Sequence, residues 1–199
     1  MRRIRLISAA ACGIFVLAAG CGSQNPSGSG STTTTAPTTS SSPSVPNPLS
    51  LAALTSNPCN GLSATQLAPY LGTVRKADPS PADGSDGPSC DYFPADLNEA
   101  TISISTLPSF GGPANLGQAG VEWSERTVDI SGYPAEHVSL GGPTGPQNGE
   151  CGTVVVVSDQ AAFEVHVQNS DSSYRYYSNL CTVSDALAPD VITYLKSGG

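Results

Sequence analysis

Cysteine is the residue type with the clearest chemistry in this chain, and Cys21 has the most specific setting. It directly follows the run 17–20 (Leu-Ala-Ala-Gly) at the end of an apolar stretch, and three arginines stand within the first five residues. A basic start, a short apolar segment and small residues before the break are typical of a secretory signal peptide. A cysteine directly after the small residues turns cleavage into lipid attachment at its thiol. We therefore expect residues 1–20 to be removed and Cys21 to carry a diacylglycerol and palmitoyl anchor.

The other cysteines have the spacing of structural disulfides. Cys12 leaves with the signal peptide, and four cysteines remain for an oxidising compartment: Cys59, Cys90, Cys151 and Cys181. Four cysteines allow three pairings. We expect Cys59 to pair with Cys90 and Cys151 with Cys181, because each bond closes a loop of about 30 residues and neighbours in sequence are often neighbours in space. A zinc site or a redox pair requires closely spaced cysteines, and these four are far apart.

Residues suited to nucleophilic catalysis are sparse. The chain has two histidines, His137 and His166, and a hydrolase would need one of them beside a serine such as Ser139 or Ser170, with an acid. The sequence contains no Gly-x-Ser-x-Gly motif, and His166 falls on the solvent face of a predicted strand. Several aspartates between residues 78 and 91 lack the spacing of a calcium loop. We predict no catalytic residues, no metal site and no cofactor.

Aromatic side chains are the one feature of the sequence that suggests a ligand. Trp123 and the neighbouring Tyr174, Tyr176 and Tyr177 are candidate ligand-contacting residues. Packing of at least half of these rings into the core is the default expectation, because aromatic residues supply much of the buried area of a domain.

The charge of the processed chain excludes one class of partner. Removal of residues 1–20 takes three arginines away, so five basic residues face sixteen acidic ones and the net charge is −11. Such a surface repels phosphate backbones and anionic headgroups. We therefore expect no nucleic-acid partner, and membrane contact must come from the lipid on Cys21.

The chain divides into three parts by composition. Residues 1–20 are the signal peptide. Residues 21–50 contain the anchor and a segment of Ser, Thr, Pro, Gly, Asn and Gln without charged side chains, which predicts a disordered tether. Residues 51–199 have the length of one globular domain. We expect this domain to be a monomer on the extracytoplasmic face of the cell membrane.

Periodicity predicts helices at both ends of the domain and strands between them. Ser63 and Gln66 form a capping box that starts a helix at Ala64, and Gly72 ends it. A C-terminal helix follows Ser184 as its cap. Alternating or β-branched runs predict strands at 90–93, 100–106, 126–130, 138–140, 153–157 and 161–168, with a loop at 78–88 and a turn at 132–135. The expected fold is a two-layer α+β domain with an antiparallel sheet of about five to six strands.

The context of the cysteines resembles a known family. The motif Asn57-Pro58-Cys59 precedes a Leu-Ser-x-x-Gln-Leu helix, Cys90-Asp91-Tyr92 opens a strand, and Gly132 begins a Gly-x-Pro-Ala turn. Cys151 opens a later strand, and Cys181 precedes the last helix. This arrangement resembles the actinobacterial lipoprotein family of domain of unknown function 3558. Many members have Trp where this chain has Tyr92, which keeps an aromatic ring there. The resemblance implies a lipid-anchored, disulfide-bridged domain and no particular activity.

Three function classes are compatible with the sequence. We prefer a noncatalytic envelope module that recognises a partner protein, a cell-wall polymer or a small apolar ligand. A hydrolase whose site assembles from sequence-distant Ser, His and acidic residues is the second. An accessory regulator of a membrane sensor is the third, and the sequence does not separate it from the first.

Overall fold

The computed structural model describes residues 44–84, 86–118, 123–139 and 149–199, and of residues 123 and 126–128 it describes the backbone alone. These residues belong to one compact unit. The signal peptide, Cys21, the tether up to residue 43, residues 140–148 and the side chain of Trp123 lie outside the described residues. None of the helices in the described ranges is long and apolar enough to cross a membrane.

The helix α2 (Ala64–Leu71) begins and ends where the sequence predicts. The Gln66 backbone N–H donates to Ser63 Oγ at 3.4 Å, and the Ser63 backbone N–H donates to Gln66 Oε1 at 2.8 Å. This reciprocal pair satisfies two backbone donors that the helix itself leaves without acceptors. A shorter helix, α1 (Ala52–Ser56), precedes it and was not predicted.

In the part of the chain that the structure describes, seven strands form one antiparallel sheet. Their bounds are β1 Val74–Ser80, β2 Ser89–Pro94, β3 Thr101–Leu107, β4 Trp123–Ile130, β5 Tyr133–Ser139, β6 Glu150–Val156 and β7 Ala162–Gln168. Their order across the sheet is β1-β2-β3-β7-β6-β5-β4, and every neighbouring pair is antiparallel. The strands predicted at 153–157 and 161–168 correspond to β6 and β7, which form a hairpin at the centre of the sheet. The α+β class is therefore confirmed, with seven strands where the sequence predicted about five to six.

Two differences from the predicted strands have local causes. The strand β1 includes residues 78–80, which were predicted to be loop. Its charged and proline residues are compatible with a strand because β1 lies at the edge of the sheet. The strand β5 starts at Tyr133, inside the predicted turn. The chain reverses earlier, at Ser131 and Gly132, whose φ angles of 54° and 88° suit a two-residue hairpin turn. Pro134 is accommodated near the start of the strand, beside an irregularity in its pairing with β4.

The C-terminal helix α3 (Leu180–Ser197) starts four residues before the predicted cap, so the prediction for Ser184 was wrong. Ser184 is fully buried inside the helix. Its Oγ lies 2.7 Å from Thr153 Oγ1 of β6 and 3.1 Å from the Cys181 carbonyl oxygen, and since the Thr153 proton goes to Asp185 Oδ1, the Ser184 hydroxyl donates to Thr153. The serine hydroxyl is therefore satisfied within the helix and against the sheet, which removes the need for a capping role. Pro189 lies within α3.

The core lies between α3 and one face of the sheet. Phe163, Val165 and Val167 of β7 are fully buried, as their alternation predicts. They pack with Leu187 and Val191 in the same cluster, and α3 contacts β6 and β7 directly. Burying such apolar side chains supplies most of the stabilisation of a fold.

Two disulfides join the helices to the sheet in the predicted pairing. Cys59, in a 3-10 turn (Pro58–Asn60), is bonded to Cys90 of β2, with 5.1 Å between the Cα atoms. Cys151 of β6 is bonded to Cys181 of α3, with 5.2 Å between the Cα atoms. The first bond attaches the N-terminal helices to the sheet, and the second attaches the C-terminal helix.

Candidate functional site

The segment 169–179 carries three of the four aromatic residues that the sequence singles out. It follows β7 and is held by short-range hydrogen bonds: the Ser173 backbone N–H donates to Asp171 Oδ1 at 2.8 Å, and the Tyr174 N–H donates to the Asp171 carbonyl at 3.0 Å. Asn169 Nδ2 donates to the Asn98 carbonyl at 2.9 Å. These bonds give the segment a defined path across the end of the sheet toward α2.

Tyr174 fixes this segment to α2. The ring is buried, and its hydroxyl donates to the Tyr70 carbonyl at 2.7 Å. Burial, with smaller contributions from Glu99 and the neighbouring tyrosines, raises the pKa of the Tyr174 hydroxyl well above its ordinary value. The group is therefore a neutral donor at physiological pH. Tyr174 thus has a structural role, and its contact with a ligand stays a prediction.

Next to this anchor, Tyr70, Arg175 and Tyr176 form a surface that we call the tyrosine–arginine patch. The ring centroids of Tyr70 and Tyr176 are 5.7 Å apart and tilted by 52°, and the Arg175 guanidinium carbon lies 5.1 Å from the Tyr176 centroid. Arg175 Nη2 also donates to the Pro69 carbonyl, so backbone and ring together hold the cation in place. Both rings are half-buried and Arg175 is exposed. The patch therefore presents two aromatic rings and a positioned positive charge to solvent.

The structure brings together only some of the predicted aromatics. Tyr174 and Tyr176 contact each other, with centroids 5.7 Å apart. Tyr177 is half-buried and lies beside Gly149, and the Trp123 side chain is outside the described residues. Tyr70 was missed because it is 104 residues from Tyr174 in the sequence. No local pattern signals a contact across such a separation.

A groove of about 370 Å³ opens between α2 and the strands β1 and β2. Its walls are mostly apolar, with polar groups from Asn60 and Ser63: Cys59, Asn60, Leu62, Ser63, Ala64, Leu67, Val74, Ala77 and Tyr92. Burial raises the pKa of Tyr92 to about 12, so its hydroxyl stays protonated. The helix α2 thus supplies residues to both the groove and the patch.

A polar network lies between the sheet and α3. His137 Nε2 is 2.9 Å from Asp185 Oδ1, and Thr153 Oγ1 donates to the same oxygen at 2.8 Å. The Thr153 and Ser184 hydroxyls are 2.7 Å apart. This network pairs the polar groups where α3 crosses the sheet, as buried polar groups require.

The second histidine lies on the opposite face of the sheet. His166 Nε2 is 3.8 Å from Glu150 Oε2, and Ser139 Oγ donates to Glu150 Oε1 at 3.0 Å. The His166 side chain is 22% exposed, which is less than a solvent-facing position predicts. In the described residues, the hydrogen bonds thus pair Ser139 with Glu150 and His137 with Asp185, so the predicted serine–histidine pairs are not formed there. Ser170 is exposed on the segment after β7.

Glu164, beside His166, supports a pH-dependent prediction. Its carboxyl lies over Gly152, where a Cβ would overlap Oε1. Burial raises the pKa of this carboxyl above 4.5, opposed by His166 and assisted by Asp86 and Glu150. A raised carboxyl pKa stabilises the fold below the unfolded-state pKa, and this contribution is lost as pH rises through the folded-state pKa.

We therefore expect Glu164→Gln to stabilise the protein at pH 7 by more than the roughly 0.5 kcal/mol typical of surface substitutions, and to have little effect near pH 4. Urea unfolding at both pH values measures the difference. The exposed Asp129 of β4 offers a control, because Asp129→Asn removes a solvated carboxylate and should change the stability little at either pH. Equal effects of Glu164→Gln at pH 4 and pH 7 would contradict the argument.

The fold and these surfaces define a disulfide-bridged, two-layer α+β domain with an aromatic–cationic patch and an apolar groove, both bordered by α2. Within the described ranges, no group of three or more His, Cys, Asp or Glu residues is arranged to hold a metal ion. The chain belongs to the family described as protein of unknown function DUF3558, which matches residues 16–194. The match includes all seven strands and both disulfides. Neither a curated protein nor a solved structure matches the chain.

Proposed function

We propose that this protein is a lipid-anchored module of the cell envelope that binds a partner protein through the tyrosine–arginine patch and catalyses no reaction. The observation that carries the proposal is the patch itself: Arg175 is exposed, yet it is held in one place by the Tyr176 ring and the Pro69 carbonyl. Tyrosine and arginine are the residues most enriched among those that dominate binding energy in protein interfaces. A positioned side chain loses less conformational entropy when a partner binds.

Charge favours a protein over an anionic polymer as the partner. The processed chain has a net charge of −11, so a polyanion is repelled at long range. A partner that contacts the patch needs aromatic or aliphatic side chains for the two rings and an acidic group for Arg175. The sequence also suggests a cell-wall polymer or a small apolar ligand as the partner. The photocrosslinking experiment below distinguishes a protein partner from a polymer.

Site-specific photocrosslinking in the native envelope tests the patch. A photoreactive phenylalanine analogue at position 176 should capture one discrete protein, and the same analogue at the exposed Gln160 should not. Arg175→Ala should reduce capture at position 176 about tenfold or more, as expected when an interface hot spot is lost. Equal capture from both positions, or a heterogeneous polymer adduct at position 176, would contradict a protein partner at this patch.

The location follows from the N-terminal pattern. Cys21 follows the small residues of a signal peptide, and the cysteine context resembles that of the mycobacterial LprB and LprC lipoproteins. We propose an actinobacterial protein anchored on the extracytoplasmic face of the membrane by acyl chains on Cys21. The uncharged tether at 22–50 would then hold the domain away from the lipid surface.

Metabolic labelling tests the anchor. A clickable palmitate analogue should label the wild-type protein, and the labelled protein should be recovered in the membrane fraction. Cys21→Ser should abolish both the labelling and the membrane association. Cys12→Ser is the matched control, because Cys12 lies within the signal peptide and its loss should leave the labelling unchanged. Labelling of the Cys21→Ser protein at the wild-type level would refute the lipid attachment site.

The groove favours a second candidate, the binding of a small apolar ligand. Its volume of about 370 Å³ lies at the lower end of the range for small-molecule sites, and its lining of apolar residues with two polar ones is typical of them. Ala64→Phe should weaken binding of the dye 1-anilinonaphthalene-8-sulfonate, whose aromatic rings bind apolar surfaces, in a fluorescence titration, whereas Thr65→Phe, at an exposed position of the same helix outside the groove lining, should not. Equal affinity of both variants would remove this candidate.

A further inference from the structure

The two disulfides differ in their access to solvent. Cys59 is partly exposed and lines the groove beside α2, while its partner Cys90 is 0% exposed. In the other bond, Cys151 of β6 is 0% exposed and Cys181, in the first turn of α3, is 8% exposed. The two bonds close loops of nearly equal length, 31 and 30 residues. Access is therefore the main property in which they differ.

We propose that Cys59 is a thiol-exchange site, at which a low-molecular-weight thiol entering the groove forms a mixed disulfide. The incoming thiolate attacks Sγ of Cys59 and forms a new S–S bond, and the Cys59–Cys90 bond breaks. Cys90 leaves as a thiolate and takes up a proton from solvent, because its buried position does not solvate a charge. A second thiolate can then attack the external sulfur, which releases the disulfide of the reagent and leaves Cys59 reduced.

Exchange at Cys59 has a structural consequence that is specific to this bond. Cys59 lies on the 3-10 turn Pro58–Asn60, which packs against β1, β2 and β3. The bond to Cys90 is a side-chain cross-link between the segment containing α1 and α2 and the sheet, in addition to the backbone that runs from α2 into β1. Opening it leaves α2 held by that backbone connection and by noncovalent contacts, so the groove wall becomes mobile. The redox state of Cys59 would thus control the shape of the groove while the second disulfide keeps α3 in place.

Stepwise thiol exchange on the full-length protein in detergent micelles tests the proposal. The protein is exposed to reduced glutathione at pH 8 without denaturant, quenched with iodoacetamide at intervals, and analysed by peptide mass spectrometry. We expect glutathione on Cys59 and carbamidomethyl on Cys90, formed about tenfold or more faster than any modification of Cys151 or Cys181, since exchange rates depend on access to the attacked sulfur.

A comparison of two variants shows whether the thiol enters through the groove. Ala64→Phe places a ring in the groove and should slow modification of Cys59 several-fold, whereas Thr65→Phe, at an exposed position outside the groove lining, should not. Opening of both disulfides at one rate would indicate exchange through global unfolding and overturn the proposal. The proposal is also overturned if glutathione attaches to Cys90 or if the Cys59–Cys90 bond resists exchange in the folded protein. Equal rates of Cys59 modification in the two phenylalanine variants would overturn it as well.

Discussion

Replacement of both Cys151 and Cys181 by alanine is expected to lower the free energy of unfolding by about 4 kcal/mol. The bond closes a loop of 30 residues, and the loss of that constraint increases the conformational entropy of the unfolded chain. Both positions are buried where α3 contacts β6, so alanine fits there without exposing a polar group. Because α3 covers the centre of the sheet, the loss of this link affects the main core.

Thermal unfolding followed by circular dichroism measures this effect. A loss of about 4 kcal/mol corresponds to a fall in Tm of roughly 8–16 °C for a domain of this size. The double variant Cys59→Ala/Cys90→Ala is the matched control, because its loop of 31 residues has nearly the same closure entropy. If Cys151→Ala/Cys181→Ala lowers the free energy of unfolding more than this control does, the difference measures the contribution of the Cys151–Cys181 bond to the folded state. A fall below about 2 °C for Cys151→Ala/Cys181→Ala would contradict the entropic argument.

Features of the fold that depend on local sequence were predictable. The capping box at Ser63 and Gln66 involves residues three apart, and the alternation in β3 and β7 reports directly which side chains are buried. The strand β1 was missed because its sequence, with two basic residues and a proline, has low strand propensity. Its conformation comes from pairing with β2, a tertiary interaction that its own residues do not signal.

The candidate sites were less predictable for the same physical reason. The aromatic cluster near residue 176 was visible in the sequence, but its partner Tyr70 is supplied by a helix more than a hundred residues earlier. The groove combines residues from α2, β1 and β2, and its volume depends on how these elements pack. Ser184 shows the converse error: a residue type suited to a helix cap is instead buried within α3, because Thr153 offers its hydroxyl a partner there.

Gly149 connects the fold to the patch. Its φ angle is 78°, and a Cβ at this position would overlap the backbone oxygen of Asn169 and come within 3.0 Å of Tyr177 Cε2. Its carbonyl accepts a hydrogen bond from the Asn169 N–H at 2.7 Å. Asn169 begins the segment that carries Tyr174 and Tyr176, so a displacement at Gly149 is transmitted to the patch.

We expect Gly149→Ala to destabilise the protein by about 3 kcal/mol or more, from a positive φ and a backbone overlap together. Gly117→Ala is the matched control, because Gly117 has a φ of 80°, no atom within 4 Å of the added Cβ and no tyrosine beside it in the sequence, so only the backbone strain of roughly 1–2 kcal/mol applies. Urea unfolding gives both values, and near-ultraviolet circular dichroism of the tyrosines should change in Gly149→Ala alone. Equal destabilisation by the two substitutions, with unchanged tyrosine spectra, would show that the segment at 169–179 does not depend on the close approach at Gly149.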